Sequence, residues 1–238
     1  FLRSTKPAFL ISSIYHTNMV AILASVIARS KTKVIVREDN MNQSLKNKSS
    51  SYISYRLTLS LKKLLYKMSH AVVVLSTAMK EEIQDLIPGI EDKVSLIYNF
   101  VDLNQINFLS KEKVDHPWFQ EDFTTPVILS AGRLSVQKNY TLLINAFSNV
   151  LKTRDLRLII LGEGEKRQEI EELIFKLGIQ DKVSLPGFKQ NPFSWMARAE
   201  IFALSSDFEG CPNVLLQALG CGCKVIASDS ESGPREIL

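Results

Sequence analysis

A chain of 238 residues, 45% hydrophobic and 23% charged, can bury one large core or two smaller ones, and this composition excludes an intrinsically disordered chain. No apolar run reaches the roughly 18 residues of a bilayer-spanning helix. The net charge of +4 is unevenly spread: residues 1–80 hold 13 Lys or Arg against only Glu38 and Asp39, a local +11 that leaves −7 for the rest. Such an asymmetry is either a solvated basic face or a surface meeting something anionic, such as membrane headgroups or a phosphorylated acceptor. No nucleic-acid-binding module accompanies the charge, so nucleic acid is not an expected partner.

Strand-length apolar runs alternate with stretches of helical period, the pattern of a parallel sheet covered by helices. In chain order the reading is a strand over 8–15, a helix over 19–28, a strand over 33–37 and a polar loop over 38–48. A long helix over 50–68 follows, with Leu57, Leu61, Leu64 and Leu65 at helical spacing and Lys62, Lys63 and Lys67 near its end, where the helix dipole favours cations. Next come a strand over 71–75, a helix over 77–86 capped by Ser76, and a strand over 94–98. Residues 102–126 are charged, carry two prolines and have weak periodicity. A loop that long inside one domain is uncommon, so it reads as a domain connection.

The rhythm resumes with a strand over 127–131, a helix over 141–151 and a strand over 156–161. A helix over 165–177 is closed by Gly178, followed by a strand over 183–185, a helix over 192–199 and a strand over 201–204. Pro212 and Asn213 open a helix over 214–219, and a last strand spans 225–227. The expected organisation is an α/β domain over 1–102, a connection over 103–126 and a second α/β domain over 127–238. The chain begins at Phe1 and stops inside what reads as a new helix, so both ends look cut and both domains truncated. Cys211, Cys221 and Cys223 lie close together with no fourth ligand, and the three histidines are scattered. Reduced thiols packed as small apolar residues are expected, not a zinc site.

Two segments carry chemistry. Gly132-Arg133-Leu134-Ser135-Val136-Gln137-Lys138-Asn139 runs from a strand end to a helix start, where ligands of open α/β sheets bind. Its glycine permits close backbone approach, and Arg133 with Lys138 can bracket a diphosphate, one as a planar fork and one as a point charge. The residues alone equally allow a solvated basic loop. Ser205 to Val214 also runs from a strand end into a helix start, whose backbone N–H groups can hold an anion. Glu209 there is either a carboxylate accepting from sugar hydroxyls or an acid near a helix start.

The stretch Glu209-Gly210-Cys211-Pro212-Asn213-Val214-Leu215-Leu216-Gln217-Ala218-Leu219-Gly220-Cys221-Gly222 resembles the signature of glycosyltransferase family four. Gly132-Arg133-Leu134 with Gln137-Lys138 resembles its diphosphate loop, and Leu161-Gly162-Glu163-Gly164 its third recurring element. Weaker similarity reaches His16, Arg37-Glu38 and Tyr98-Asn99-Phe100-Val101-Asp102, as in bacterial members that extend undecaprenyl-diphosphate-linked glycans. The resemblance implies two Rossmann-like domains of the GT-B type and retaining transfer from a UDP- or GDP-sugar to a glycan or lipid-linked acceptor. Arg133 and Lys138 would hold the donor diphosphate. Glu209 would contact the donor sugar, as would His16, and Gly132, Gly210, Pro212, Asn213 and Val214 would line the donor. Asn99 matches a hinge element. Two fixed cations can stabilise the departing diphosphate without a metal, and no Asp-x-Asp is present, so no metal or other cofactor is expected. The family's second Glu is here Gln217, which keeps an acceptor for the ribose hydroxyls and loses the charge. A nucleotide-sugar 2-epimerase of the same fold and an inactive nucleotide-sugar-binding homologue are the alternatives. The expected place is the cytoplasm, with peripheral contact at the inner face of an anionic plasma membrane.

Overall fold

The computed structural model describes residues 1–41, 51–230 and 232–238. Along the chain lie α1 (Leu2–Thr5), β1 (Phe9–Ser13), α2 (Tyr15–Ile27), β2 (Lys33–Arg37), α3 (Tyr52–Tyr66), β3 (Ala71–Val74), α4 (Thr77–Leu86) and β4 (Val94–Leu96). Then follow α5 (Leu103–Leu109), β5 (Val127–Ala131), α6 (Tyr140–Val150), β6 (Arg157–Leu161), α7 (Arg167–Lys176) and β7 (Val183–Gly187). The last elements are α8 (Phe193–Met196), β8 (Ile201–Leu204), α9 (Asn213–Gly220), β9 (Lys224–Ala227) and α10 (Pro234–Ile237). The chain divides into two compact units. One comprises Phe1–Asn99, Phe208–Cys211 and Glu231–Leu238, the other Phe100–Asp207 and Pro212–Ser230.

The first unit is a parallel sheet in the order β1-β2-β3-β4. Its inward residues are β-branched, which suits a pleated, buried surface: Val34, Val36, Val72 and Val74 pack with Ile22 of α2, Leu65 and Tyr66 of α3, and Met79 and Ile83 of α4. Ser76 caps α4 as expected, its hydroxyl accepting from Met79 N at 3.2 Å. One expectation is corrected here. The first strand stops at Ser13 because Ile14 takes φ 71°, so the helix begins at Tyr15 and His16 lies in its first turn, not on a loop. Glu38 opens the loop after β2, as expected, yet it is buried, with Lys62 Nζ 3.1 Å from its Oε2 and the Tyr66 hydroxyl donating to its Oε1. That pairing turns α3 against its leucine pattern: Lys62 is 1% exposed while Leu57, Leu61 and Leu64 are 71%, 40% and 63% exposed, and only Leu65 is buried. The remainder of the polar loop from residue 42, and the first residue of the expected helix at 50, lie outside the described residues.

The second unit is a parallel sheet in the order β7-β6-β5-β8-β9. Leu158, Ile160 and Ala203 of its strands pack with Ile144 and Phe147 of α6 and Ile170 and Ile174 of α7. Residues 103–126, read from the sequence as a connection, carry structure and belong to this unit. Asp102 caps α5 by accepting from Asn104 N and Gln105 N at 2.9 and 3.1 Å, and Ile106 is buried. Leu103 and Ile106 lie against Gly220 of α9. Farther on, His116 packs edge-on to Trp118 and Trp195 and reaches Ser184 Oγ at 3.0 Å. Burial, with a smaller effect of Lys189, lowers the His116 pKa, which keeps the ring neutral among its aromatic neighbours. The expected helix over 192–199 is confined to α8. The three thiols are free, and burial raises the pKa of each, Cys221 to about 11.

Candidate functional site

In the second unit three loops at the carboxyl ends of β5, β6 and β8 are tied into one assembly. Gly132 N donates to Leu161 O and Leu134 N to Glu163 O, both at 2.9 Å, and Lys166 N donates back to Leu134 O at 2.9 Å. The approach is so close that a Cβ on Gly162 would stand 1.9 Å from Gly132 O, and one on Gly164 2.3 Å from Leu134 O. Leu134 is fully buried and pins the loop. On the other side Asp207 N donates to Gln137 O at 3.0 Å and Ser205 Oγ to Lys138 O at 2.8 Å. Asn139, at φ 43°, caps α6 through Leu142 N and donates from its Nδ2 to Asp207 Oδ1 at 2.6 Å.

This frame brings together the first pair of expected residues. Lys138 folds back across Gly132: a Cβ there would stand 3.1 Å from Lys138 Cε and 3.1 Å from the Tyr140 hydroxyl. Arg133, the next residue, is exposed. Two cations therefore share one rigid loop at the strand ends. Pro212 stands at the start of α9, with Asn213 exposed in its first turn and Val214 and Gln217 half-buried along it.

The remaining expected residues lie in the first unit. Glu209 is buried, and Gly210 presses on the chain after β2, where a Cβ would stand 2.2 Å from Asp39 O. The Ser232 hydroxyl donates to Gly210 O at 2.9 Å and meets Ser76 Oγ at 2.6 Å. Asn99 is more than a turn former: its Nδ2 donates to Cys211 O at 3.2 Å and its Oδ1 accepts from Arg37 Nη2 at 2.8 Å. Arg37 Nη1 pairs with Asp39 Oδ1 at 2.5 Å. Asp39 Oδ2 accepts from the Ser13 hydroxyl and, at 3.0 Å, from Ile14 N. Ile14 at φ 71° is a strained conformation for a β-branched residue, costing on the order of 1–3 kcal/mol and persisting only where its surroundings enforce it. His16 is exposed, its ring 3.7 Å from that of Tyr15. Nearby, Glu236 accepts from Thr77 N and Ala78 N at 2.9 and 3.1 Å. Burial alone would raise its carboxyl, but these amides outweigh it and hold the pKa below the ordinary value.

Arg37-Glu38 stood out only through similarity and Ser76 only as a helix cap, while Asp39 and Ser232 carried no local signal, because Ser13, Ile14 and Gly210, which they meet, lie far away in sequence. Among the described residues no three His, Cys, Asp or Glu side chains converge into a metal-holding group.

Parallel sheets covered by helices, with cation-bearing loops at their carboxyl ends, are of the Rossmann-like GT-B type. Residues 112–238 match the family described as Glycosyl transferases group 1, and the chain belongs to that family. It is 36% identical over 226 residues to a Campylobacter jejuni N-acetylgalactosamine-N,N'-diacetylbacillosaminyl-diphospho-undecaprenol 4-alpha-N-acetylgalactosaminyltransferase, covering 93% of this chain and 57% of that protein. A second Campylobacter jejuni enzyme, an alpha-1,4-N-acetyl-D-galactosaminyltransferase named for a GalNAc-extended diNAcBac-PP-undecaprenol, is 25% identical over 239 residues, all of this chain and 60% of its own length. Anabaena Alr3699/HepE, solved in complex with UDP and glucose, superposes with a TM-score of 0.80 at 21% identity, covering 100% of this chain and 63% of that one. The chain thus spans about three fifths of the length of these relatives.

Proposed function

We propose that the protein containing this chain is a retaining glycosyltransferase that moves a hexose or N-acetylhexosamine from a UDP-sugar to a membrane-linked glycan, in bacterial cell-surface glycan synthesis. The observation that carries this reading is Lys138 lying across Gly132 beside Arg133, on a loop fixed from both sides. In the transfer the bond from the sugar's C1 to the diphosphate oxygen breaks and its electron pair leaves on the diphosphate, while an acceptor hydroxyl oxygen bonds to C1 and its proton goes to the departing diphosphate. The Arg133 fork and the Lys138 ammonium neutralise that developing charge, and being already in place they need not reorganise as the bond breaks. The N-terminal amides of α9, after Pro212, Asn213 and Val214, add positive field toward an anion. Glu209 accepts from sugar hydroxyls, His16 stands near the sugar, and Gln217 serves the ribose as a neutral acceptor. The complex of the Anabaena protein with UDP favours UDP over GDP, and the undecaprenol-linked substrates in the relatives' names favour a lipid-linked acceptor.

The test is binding and transfer by variants of the full-length protein. Arg133→Ala or Lys138→Ala removes a charge-assisted contact worth about 1.5–3 kcal/mol, so affinity for the nucleoside diphosphate should fall about tenfold or more while that for the nucleoside hardly changes. Equal losses for both ligands would overturn the assignment. Transfer should persist in EDTA, since the cations are built in.

Peripheral membrane contact at the cytoplasmic face belongs to the same proposal. Among the described residues no helix is long and apolar enough to cross a membrane. Helix α3 instead exposes Ile53, Leu57, Leu61, Leu64 and, just beyond it, Met68, with Arg56, Lys63 and Lys67 also exposed. Lys62, part of the basic run in the sequence, is buried and does not contribute. Flotation should show preference for anionic over neutral vesicles, with about 1 kcal/mol per well-placed cation, weakening as salt rises. Equal binding to both kinds of vesicle would reduce the charge to a solvated face.

A further inference from the structure

We propose that Arg37 and Asp39 form a positioning hub that holds the turn carrying His16 and the segment Glu209-Gly210-Cys211 in one frame; the inference rests on the transferase reading of those two residues. None of the hub's own atoms is assigned to the substrate.

One side of the hub governs His16. Asp39 Oδ2 takes both the Ser13 hydroxyl and Ile14 N, and these two bonds stabilise Ile14 at φ 71° and ψ 130°, a conformation that its branched side chain disfavours. Ile14 is the N-cap of α2, and its carbonyl accepts from Asn18 N at 2.9 Å. The direction of the first helical turn, and so of His16, follows from the conformation that Asp39 enforces.

The other side governs Glu209. The carbonyl of Asp39 packs against Gly210 at a distance only glycine allows. Arg37, paired with the Asp39 carboxylate, holds Asn99, and Asn99 holds Cys211 O. Glu209 is adjacent to Gly210, so a shift of the hub moves its carboxylate.

The hub itself is anchored from below. Side chains alternate along an extended chain, and Glu38, between Arg37 and Asp39, is the residue buried against Lys62 and Tyr66. Asn18 completes the anchor: its Nδ2 donates to Arg37 O at 2.9 Å and to the Tyr66 hydroxyl at 3.0 Å, and its Oδ1 accepts from Ser12 at 2.7 Å. An internal polar network that is satisfied at every member fixes one arrangement of its backbone.

The test uses the full-length protein with Asp39→Asn, whose amide presents donors where Arg37 also donates. Misplacement of a reacting group by about 1 Å costs on the order of a hundredfold in rate, so kcat should fall at least tenfold while the KM for the UDP-sugar and the Kd for UDP stay within about twofold. Histidine NMR gives a readout independent of transfer. The His16 resonance, identified with His16→Gln, should shift in Asp39→Asn, while those of His70 and His116 should not. In Asn99→Ala, which leaves the Ser13 and Ile14 contacts intact, kcat should fall without a shift of His16; this variant also serves if Asp39→Asn does not fold. A parallel fall of kcat, UDP affinity and melting temperature would make the hub a structural element only. An unchanged His16 resonance with unchanged kcat would overturn it outright. If the native protein binds UDP and transfers nothing, yet His16 shifts in Asp39→Asn, the transferase reading falls and the hub stands.

Discussion

Lys62→Ala is expected to destabilise the first unit by about 3–5 kcal/mol, the loss typical when one partner of a buried ion pair is removed. The magnitude follows from exposure: the side chains of Lys62 and Glu38 are 1% and 5% accessible, so the orphaned carboxylate has no water to replace the ammonium. The Tyr66 hydroxyl donates to the same carboxylate, and burial, together with the nearby Glu38 charge, already drives its pKa far above the ordinary value. It supplies one hydrogen bond and no countercharge. For contrast, Arg167→Ala breaks pairs with Glu163 and Glu171 that lie at the surface, where about 0.5 kcal/mol per pair is the scale. The readout is selective. Both tryptophans, Trp118 and Trp195, lie in the second unit, so in urea the early loss in Lys62→Ala should appear in amide circular dichroism without a change in tryptophan emission. Combining Lys62→Met with Glu38→Gln should recover most of the loss, since no buried charge remains and Tyr66 keeps an acceptor. A Lys62→Ala protein that unfolds at the native urea concentration would show the pair to be energetically idle.

Gly162→Ala is expected to damage the second unit by about 3 kcal/mol or more, and to take nucleoside diphosphate affinity with it. The new methyl would meet Gly132 O at 1.9 Å and Gly132 C at 2.9 Å. These are backbone atoms, so no rotamer change relieves the overlap. The loops after β5 and β6 must part, which strains or breaks the bonds Gly132 N to Leu161 O and Leu134 N to Glu163 O. Overpacking costs typically 1–3 kcal/mol, and φ +140° adds a conformational cost for any residue with a Cβ. Gly178→Ala separates the two contributions: it also has a positive φ, +67°, but nothing lies within 4 Å, so only about 1 kcal/mol should be lost. Tryptophan emission reports this unit directly. If Gly162→Ala binds UDP as the native protein does, the glycine is not what seats the Arg133 loop.

The strands and their parallel pairing were legible because buried parallel strands read as short apolar runs, such as Val127–Ala131 and Arg157–Leu161. The loop from Gly132 to Asn139 was legible for a similar local reason, its glycine, cations and place between strand and helix. The facing of helix α3 was not legible: its leucines recur at helical spacing, but only the distant Glu38 turns Lys62 inward. Helix α5 was missed because seven residues rich in Asn and Gln give little periodicity, although Asp102 was a cap in plain view. The contacts of Asp39 with Ile14, of Arg37 with Asn99 and of Asn99 with Cys211 were beyond reach, since each is made across tens of residues by side chains that look like ordinary loop polarity.

The strand orders of the two sheets imply different schedules of folding during synthesis. In the first, each strand pairs with its predecessor, so the sheet can grow as the chain emerges. In the second, the central strand β5 pairs with β6 on one edge and waits for β8 on the other, Ile128 meeting Ile201. At about 5–20 residues per second, that edge stays open for roughly 4 to 15 s. Val127–Ala131 is an apolar strand, and an uncovered apolar edge is what recruits other chains. Aggregation during expression should therefore trace to this interval, and slower elongation across residues 132–200 should lengthen the exposure and not relieve it.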